Sequence, residues 1–163
     1  FIMITAAFEW EFRRIYPDGV PKKKEITLIE NEATEALKKL IDSSTGKLKN
    51  KYKFLSKLIK SDSLQTELVK IGKDFDPIIG NFGKHLYRLN EDELSYSEMG
   101  ERLSRQRNNF AHGNLDKDFI GKALLDLIYL EYVVYAMQMK HYGIDDANIR
   151  KAINELFHLN YAL

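Results

Sequence analysis

The sequence contains no cysteine, and only three prolines and nine glycines among its 163 residues. Without cysteine it has no disulfide framework, no thiolate zinc site and no cysteine nucleophile, which fits a reducing, cytoplasmic compartment. The scarcity of proline and glycine disfavours a loop-rich β-sandwich and favours long helices. No run approaches about 18 consecutive apolar residues, so we expect no bilayer-spanning segment.

The composition is that of one globular domain, which we expect to span residues 1–163. Apolar residues make up 44% and charged residues 30% of the chain, too hydrophobic for disorder and too charged for a membrane protein. The formal net charge is only +1. Attraction to an anionic partner such as RNA must therefore come from local clusters of charge.

The chain opens inside a helical pattern, without an initiator methionine or a capping residue. Residues recur along one helical face at steps of three and four positions, namely Phe1, Thr5, Phe8, Phe12 and Ile15. A secretory signal would need a longer apolar run and a small-residue cleavage site, which this segment lacks. We therefore expect a domain cut from a longer protein, preceded by an upstream region such as a sensor domain.

Apolar periodicity predicts helices along nearly the whole chain. The predicted helices cover residues 1–15, 24–42, 47–60, 63–88 with an interruption near Pro77, 94–112, 117–142 and about 146–158. The inward-facing candidates of the longest helix are Phe119, Ala123, Leu124, Leu127, Val134 and Met137. No period-two strand pair is present. The sequence thus predicts an all-α fold, an antiparallel helical bundle of about six to seven helices.

The most informative segment runs from residue 105 to residue 113 and reads RQRNNFAHG. One interpretation is purely structural: cations favour the C-terminal end of a helix dipole, and Gly113 is a left-handed cap. Asn114 or Asp116 would then cap the next helix. This interpretation explains His112 and Gly113, but it leaves the two arginines together with Asn108 and Asn109 unexplained.

The functional interpretation is a phosphodiester site. Arginine offers fixed hydrogen-bond donors to a phosphate and positive charge to a pentacovalent transition state. Histidine titrates near neutrality and can move a proton to or from a ribose 2′-hydroxyl or a leaving 5′-oxygen. An arginine and His112 together can cleave RNA without a metal.

Residues 107–113, RNNFAHG, resemble the R-x4–6-H signature of the HEPN superfamily (higher eukaryotes and prokaryotes nucleotide-binding domain). The commonest form of that signature is an arginine, a polar residue and a helix-terminal Ala-His-Gly. Residues 1–16, FIMITAAFEWEFRRIY, resemble the first helix of Apea-like HEPN domains, which usually form the C-terminal part of anti-phage abortive-infection proteins. The two stretches lie far apart in the sequence, so the resemblance covers most of the chain.

The resemblance implies a metal-independent endoribonuclease of a phage-defence or toxin-like protein, with no cofactor. It implies a homodimer whose motif helices face one another and share a composite site. Arg107 corresponds to the motif arginine, Asn108 to its polar neighbour and His112 to the motif histidine. The implied products are a 2′,3′-cyclic phosphate and a 5′-hydroxyl, and the implied substrate is RNA, with tRNA associated with the Apea-like members.

Helical geometry leaves two candidates for the working arginine. Arg107 and His112 point about 140° apart on an ideal helix, whereas Arg105, Asn108 and His112 share a face to within about 60°. The spacing from Arg105 to His112 also satisfies the signature. Arg107 is therefore the first candidate, from the pattern, and Arg105 is an auxiliary candidate, from geometry.

Two further features bear on partners. A lysine-rich stretch contains Lys47, Lys49, Lys51 and Lys53, which can track an RNA backbone or can simply keep a helix solvated. The remaining histidines lack partners at ligand spacing, so no metal site is predicted. The alternatives to an enzyme are a non-catalytic RNA- or nucleotide-binding module and a structural dimerisation domain.

Overall fold

The fold is all-α, as the sequence predicts. The computed structural model describes residues 2–59, 61–111 and 121–160, and no strand occurs in these ranges. The helices are α1 (Ile2–Ile15), α2 (Lys24–Ser43), α3 (Gly46–Ile59), α4 (Leu64–Phe75), α5 (Asn81–Leu89), α6 (Tyr96–Ala111), α7 (Lys122–His141) and α8 (Asp146–Leu156). Taking residues 64–89 as one interrupted helix leaves seven helical segments in the described ranges, within the predicted number.

The predicted interruption near Pro77 is confirmed. A π-helical turn, Asp76–Gly80, joins α4 to α5, because proline has no N–H to continue the α-helical hydrogen bonds. A Cβ atom on Gly80 would lie 2.2 Å from Asp76 Oδ1. The turn therefore brings the Asp76 carboxylate against the backbone of Gly80, and a larger residue at position 80 would require the Asp76 side chain to shift.

The chain divides into two compact units, where the sequence predicts a single domain over residues 1–163. The first unit combines Phe1–Gly19 with Leu64–Leu163, and the second is Val20–Ser63. The first unit therefore consists of α1 and α4 to α8. The second consists of α2 and α3 with their flanking residues.

The core of the first unit is built around α7. Its largest fully buried side chains come from five helices and the π-helical turn, and include Phe8, Phe12, Leu68, Ile71, Ile79, Met99, Leu103, Tyr129, Leu130 and Met137. The predicted inner face of α1 is confirmed at Thr5, Phe8 and Phe12. On α7, Val134 and Met137 are buried as predicted, but Leu124 is 53% exposed. That expectation was wrong because α7 is apolar around its whole circumference, so periodicity does not identify its inner side.

Helices α4 and α6 pack at close range. The amide of Gln65, at the start of α4, donates to Ser97 Oγ (2.9 Å) and Glu101 Oε1 (2.8 Å) on α6. A Cβ atom on Gly100 would lie 2.4 Å from the Gln65 Cα. The missing side chain thus lets the two backbones touch.

The second unit is an antiparallel helical hairpin. Two residues, 44 and 45, connect α2 to α3, and short connections join antiparallel neighbours. At the open end, the Val20 N–H donates to Asp62 Oδ2 (2.8 Å), and Lys22 forms an ion pair with Asp62 (3.5 Å). Neither helix contains a buried residue.

Candidate functional site

The predicted motif begins on α6. Ser95 Oγ accepts a hydrogen bond from the Glu98 backbone N–H (3.4 Å), which caps the start of the helix. The inner side of α6 is marked by three buried residues at steps of four and three positions, Met99, Leu103 and Gln106. The opposite side exposes Arg105 and Asn108.

Arg107 lies between these two sides and is held by α1. Its Nη1 forms an ion pair with Glu9 Oε1, and the two side chains are 38% and 26% exposed. The pair therefore links α1 to α6 at the edge of solvent. A phosphate that approaches Arg107 must compete with this carboxylate.

Arg105 and Asn108 have no hydrogen bond or ion pair to any described residue. They are three positions apart, so they lie within about 60° of each other on the helix. The last two turns of α6 thus contain the paired Arg107, the exposed amide of Asn108, and Arg105, which has no partner among the described residues. Arg105 is the auxiliary candidate of the sequence prediction.

His112 lies outside the described residues. So do the predicted cap Gly113, the predicted helix-capping residues Asn114 and Asp116, and the inward candidate Phe119. Among the predicted catalytic residues, the structure therefore brings together Arg105, Arg107 and Asn108. The catalytic role of His112 stays a prediction.

The middle of α6 is fixed to α7 by a buried ion pair. Arg102 donates through Nε to Asp126 Oδ2 (2.7 Å) and through Nη2 to Asp126 Oδ1 (2.8 Å). The Tyr87 hydroxyl of α5 donates to Asp126 Oδ1, and Asp126 is fully buried. The hydrogen bonds to Asp126 raise the pKa of Arg102, and burial next to Asp126 raises the pKa of Tyr87. The guanidinium is therefore a structural cation that joins three helices.

The start of α6 is fixed by hydroxyl groups. The Tyr96 hydroxyl lies 2.7 Å from the Tyr129 hydroxyl and donates to Asp76 Oδ1 (3.4 Å). Burial raises the pKa of Tyr96, so it stays a neutral donor. Of the tyrosines on α7, Tyr129 and Tyr132 are buried in the core, whereas Tyr135 is 42% exposed. With Arg102 and Arg107, these contacts hold α6 along its length.

Sequence reasoning missed Glu9, Tyr87 and Asp126. A signal for Asp126 was present, because it is a lone carboxylate in the apolar run LLDLIYL of residues 124–130. A carboxylate on a buried face needs a cationic partner. Periodicity could not supply the identity of that partner, since Arg102 lies 24 residues earlier.

A cleft of about 810 Å³ opens beside the start of α6. Its lining mixes both signs of charge: Lys84, Arg88 and Lys122 against Glu91, Asp92, Glu93 and Glu98. Lys122 pairs with Asp92 (2.7 Å), and Lys84 pairs with Asp76 (2.7 Å). Twelve residues, about 18 Å of helix, separate Ser95 in this cleft from Arg107. The cleft is therefore separate from the predicted motif.

The lysine-rich stretch forms α3. A two-residue step on a helix is a rotation of about 200°, so Lys47 and Lys51 lie on one side, and Lys49 and Lys53 on the other. All of them except Lys49 are exposed. Each side of α3 therefore carries two of the four charges. Contact with RNA through these lysines stays a prediction.

Within the described ranges, no cluster of three or more histidine, aspartate or glutamate side chains could hold a metal ion. None of the helices described is long and apolar enough to cross a membrane. Comparison with known proteins found that no family model, curated protein or solved structure matches the chain.

Proposed function

We propose that this chain is a metal-independent endoribonuclease domain that uses the C-terminal end of α6. The observation that carries the proposal is the set of side chains on the last turns of that helix. Arg105 and Asn108 face solvent without partners among the described residues, and Arg107 is held at the edge of solvent by Glu9. The sequence continues from this turn directly into His112.

The proposed reaction needs one proton carrier and one cationic donor. His112 takes the proton of a ribose 2′-hydroxyl, whose oxygen then attacks the adjacent phosphorus. The bond from phosphorus to the 2′-oxygen forms, the bond to the 5′-oxygen breaks, and the leaving oxygen takes up the proton that His112 removed, which returns His112 to its starting state. An arginine stabilises the charge of the pentacovalent phosphorane. The products are a 2′,3′-cyclic phosphate and a 5′-hydroxyl.

The contacts distinguish the two arginines. Arg105 can meet a phosphate without losing a partner among the described residues, and it lies on the same side of α6 as Asn108. Arg107 matches the signature, but it must either leave Glu9 or act while paired with it. We therefore keep both arginines in the proposal, with Asn108 as the group that orients or contacts the phosphate.

The resemblance to HEPN domains supplies the rest of the proposal. It implies RNA as the substrate, tRNA among the candidates, and a homodimer with a composite site. It also implies an effector of phage defence or a toxin-like protein that acts on RNA in the cytoplasm. These features are parts of the same proposal.

One observation favours a second candidate, a module that binds RNA or nucleotides without cutting them. Glu9 neutralises Arg107 in the structure, and a neutralised arginine stabilises a developing phosphorane less well. A module of this kind would keep Arg105 and Asn108 as phosphate contacts and would leave RNA intact.

The test is an end-group assay on total tRNA in excess EDTA. We expect the wild-type domain to produce fragments that end in a 2′,3′-cyclic phosphate, and His112→Ala to produce none. Arg105→Ala and Arg107→Ala identify the working arginine, whose loss should reduce cleavage by about 100-fold or more. Arg13→Ala is the matched control, because Arg13 is exposed on α1 and is not part of the motif.

The possible outcomes separate the candidates. Undiminished cleavage by His112→Ala contradicts the catalytic proposal. Binding of tRNA without new ends, weakened by Arg105→Ala, favours the binding module. If neither cleavage nor binding occurs and Arg107→Ala weakens only self-association, the motif belongs to a dimerisation domain.

A further inference from the structure

The outer side of α1 carries the single tryptophan of the sequence. Trp10 is 66% exposed, although tryptophan is highly buried on average in folded proteins. It lies two positions from both Phe8 and Phe12, a rotation of about 200° around the helix. Since Phe8 and Phe12 are buried in the core, Trp10 points away from it. The packing of the first unit therefore makes little use of this ring.

A second exposed ring lies at the end of α7. Tyr142 directly follows the last residue of that helix and is 73% exposed. The guanidinium of Arg14 lies over this ring, with its Cζ 5.6 Å from the ring centroid, a distance at which a cation is attracted to an aromatic face. Arg14 also follows Trp10 by four positions, so the two side chains are neighbours on the surface of α1. We call Trp10, Arg14 and Tyr142 the aromatic surface.

Arg14 is held in place by a buried carboxylate. Its Nη1 donates to both carboxylate oxygens of Glu11 (3.2 Å each). Glu11 accepts a further hydrogen bond from Gln138 Nε2 of α7 (3.3 Å). The Glu11 side chain is 5% exposed, whereas the Arg14 side chain is 30% exposed. The ion pair therefore buries its negative end and presents its positive end to solvent beside the two rings.

The charges around the aromatic surface favour an anionic partner. Both carboxylates of α1 are already paired with arginines, Glu11 with Arg14 and Glu9 with Arg107. An approaching phosphate therefore meets a fixed guanidinium and no unpaired carboxylate on α1. Trp10 also directly follows Glu9 in the sequence, about 100° around the helix. A strand bound on the aromatic surface can thus extend to Arg107 of the predicted motif.

We infer that the aromatic surface binds unpaired nucleotides of RNA. Aromatic rings next to cations bind single-stranded nucleic acid, because every base has a face that can stack on a ring and every linkage carries a phosphate. Base faces inside a duplex are already stacked on one another, so loops, bulges and single strands are the segments that offer them. Trp10 and Tyr142 each stack a base, and Arg14 contacts the backbone.

The inference rests on the proposed function for its choice of RNA among anionic partners. It adds the substrate class to that function: unpaired segments, such as the loops of tRNA. Stacking on Trp10 and Tyr142 tolerates any base, so this surface selects strandedness and leaves the sequence of the RNA open.

The first test uses the fluorescence of Trp10 in the full chain, which has no other tryptophan. The ligand is a 2′-O-methylated oligoribonucleotide, whose blocked 2′-oxygens cannot attack phosphorus. We expect acrylamide to quench the emission of the free chain, because Trp10 is exposed. The single strand should quench the emission saturably, because a base stacks on the ring. A duplex of the same length and phosphate concentration should leave the emission unchanged.

The second test compares the affinities of variants for the same single strand, measured by the anisotropy of a label on it. Trp10→Ala should weaken binding by about 10-fold, the effect of one lost stack between a base and an aromatic ring. Trp10→Phe should recover most of this loss, since phenylalanine keeps a ring. Tyr142→Ala should weaken binding in the same direction.

Leu89→Ala is the matched control and should bind like the wild type. Leu89, at the end of α5, is 68% exposed, nearly as much as Trp10. Helix α5 contacts the start of α7, where Tyr87 donates to Asp126. Asp126 and Tyr142 are 16 positions apart, about 24 Å of helix. The control therefore removes an equally exposed apolar side chain far from the aromatic surface.

Three results overturn the inference: equal quenching by the duplex, no response of Trp10 to the single strand, or undiminished binding by Trp10→Ala. A response of Trp10 to phosphatidylserine vesicles in place of the oligonucleotide overturns it in favour of a lipid surface. The ligand cannot be cleaved, so these results do not depend on catalysis. Cleavage of tRNA by a chain whose Trp10→Ala variant binds normally would leave the proposed function standing without this surface.

Discussion

Arg107, near the end of α6, forms its ion pair with Glu9, which lies 98 residues earlier on α1. The two regions that carry the resemblance to HEPN domains are thus in direct contact. The pair of Arg102 with Asp126, on the same helix, is different in kind, because Asp126 is fully buried whereas the Glu9 side chain is 26% exposed. The two pairs should therefore contribute very differently to stability.

The Glu9–Arg107 pair should contribute little to stability, because solvent screens it and both long side chains lose freedom. We expect a coupling energy of about 0.2–1 kcal/mol between the two residues. A double-mutant cycle of Glu9→Gln, Arg107→Gln and the combined variant, followed by urea denaturation, measures this energy. A coupling above about 2 kcal/mol would show that the pair is a structural element like Arg102–Asp126.

Asp126→Asn should destabilise the first unit by about 3 kcal/mol, because it leaves the Arg102 guanidinium without its buried counter-charge. The value lies at the low end of the usual range since the Arg102 side chain is 22% exposed. Tyr87→Phe is the matched variant: it removes one hydrogen bond to the same carboxylate and should cost about 1 kcal/mol. Chemical denaturation gives both values, and the reverse order would contradict the assignment of Asp126 as the centre of the network.

Gly100→Ala should destabilise the protein by about 1–3 kcal/mol, although alanine is the better helix former. The added Cβ would meet the Gln65 Cα at 2.4 Å, and backbone cannot move aside as a flexible side chain can. Ser104→Ala, four residues later on α6, is the control and should be nearly neutral. A stabilising Gly100→Ala would mean that α4 and α6 do not pack this closely.

The cap of α8 should make stability depend on pH. Asp145 Oδ1 accepts the Asn148 backbone N–H (2.9 Å), and the hydrogen bonds from Asn148 lower the pKa of Asp145. Because this pKa is lower in the folded state than in the unfolded one, the stabilising contribution is present above the ordinary pKa and is lost as the pH falls through the lowered value.

The variant Asp145→Asn separates the cap from its charge, since asparagine caps a helix equally well and does not titrate. Between about pH 6 and about pH 3, the Tm of the wild type should fall further than that of Asp145→Asn. Asp145→Ala should have a lowered Tm over the same range, because it lacks the cap at every pH. Identical pH dependence of the wild type and Asp145→Asn would contradict this contribution.

Much of the fold could be predicted because its signals are local. The spacing of Phe8 and Phe12 identifies the inner face of α1. Pro77 has no backbone N–H in any fold, so it interrupts the helical hydrogen bonds whatever packs around it. The prediction was wrong where a helix is apolar all round, as at Leu124. The division into two units could not be foreseen either, because amphipathic α2 and α3 have the same pattern as helices that are buried in a core.

For the candidate site, the sequence by itself determined which chemistry is available: two arginines, three amides and a histidine within the eight residues 105–112. It also determined that Arg105 and Asn108 share a helical face, since residue spacing sets that angle. Only the tertiary structure decided which arginine is engaged. It placed Glu9 against Arg107 and Asp126 against Arg102, because pairing between distant charges depends on how helices pack and leaves no periodic trace in the sequence.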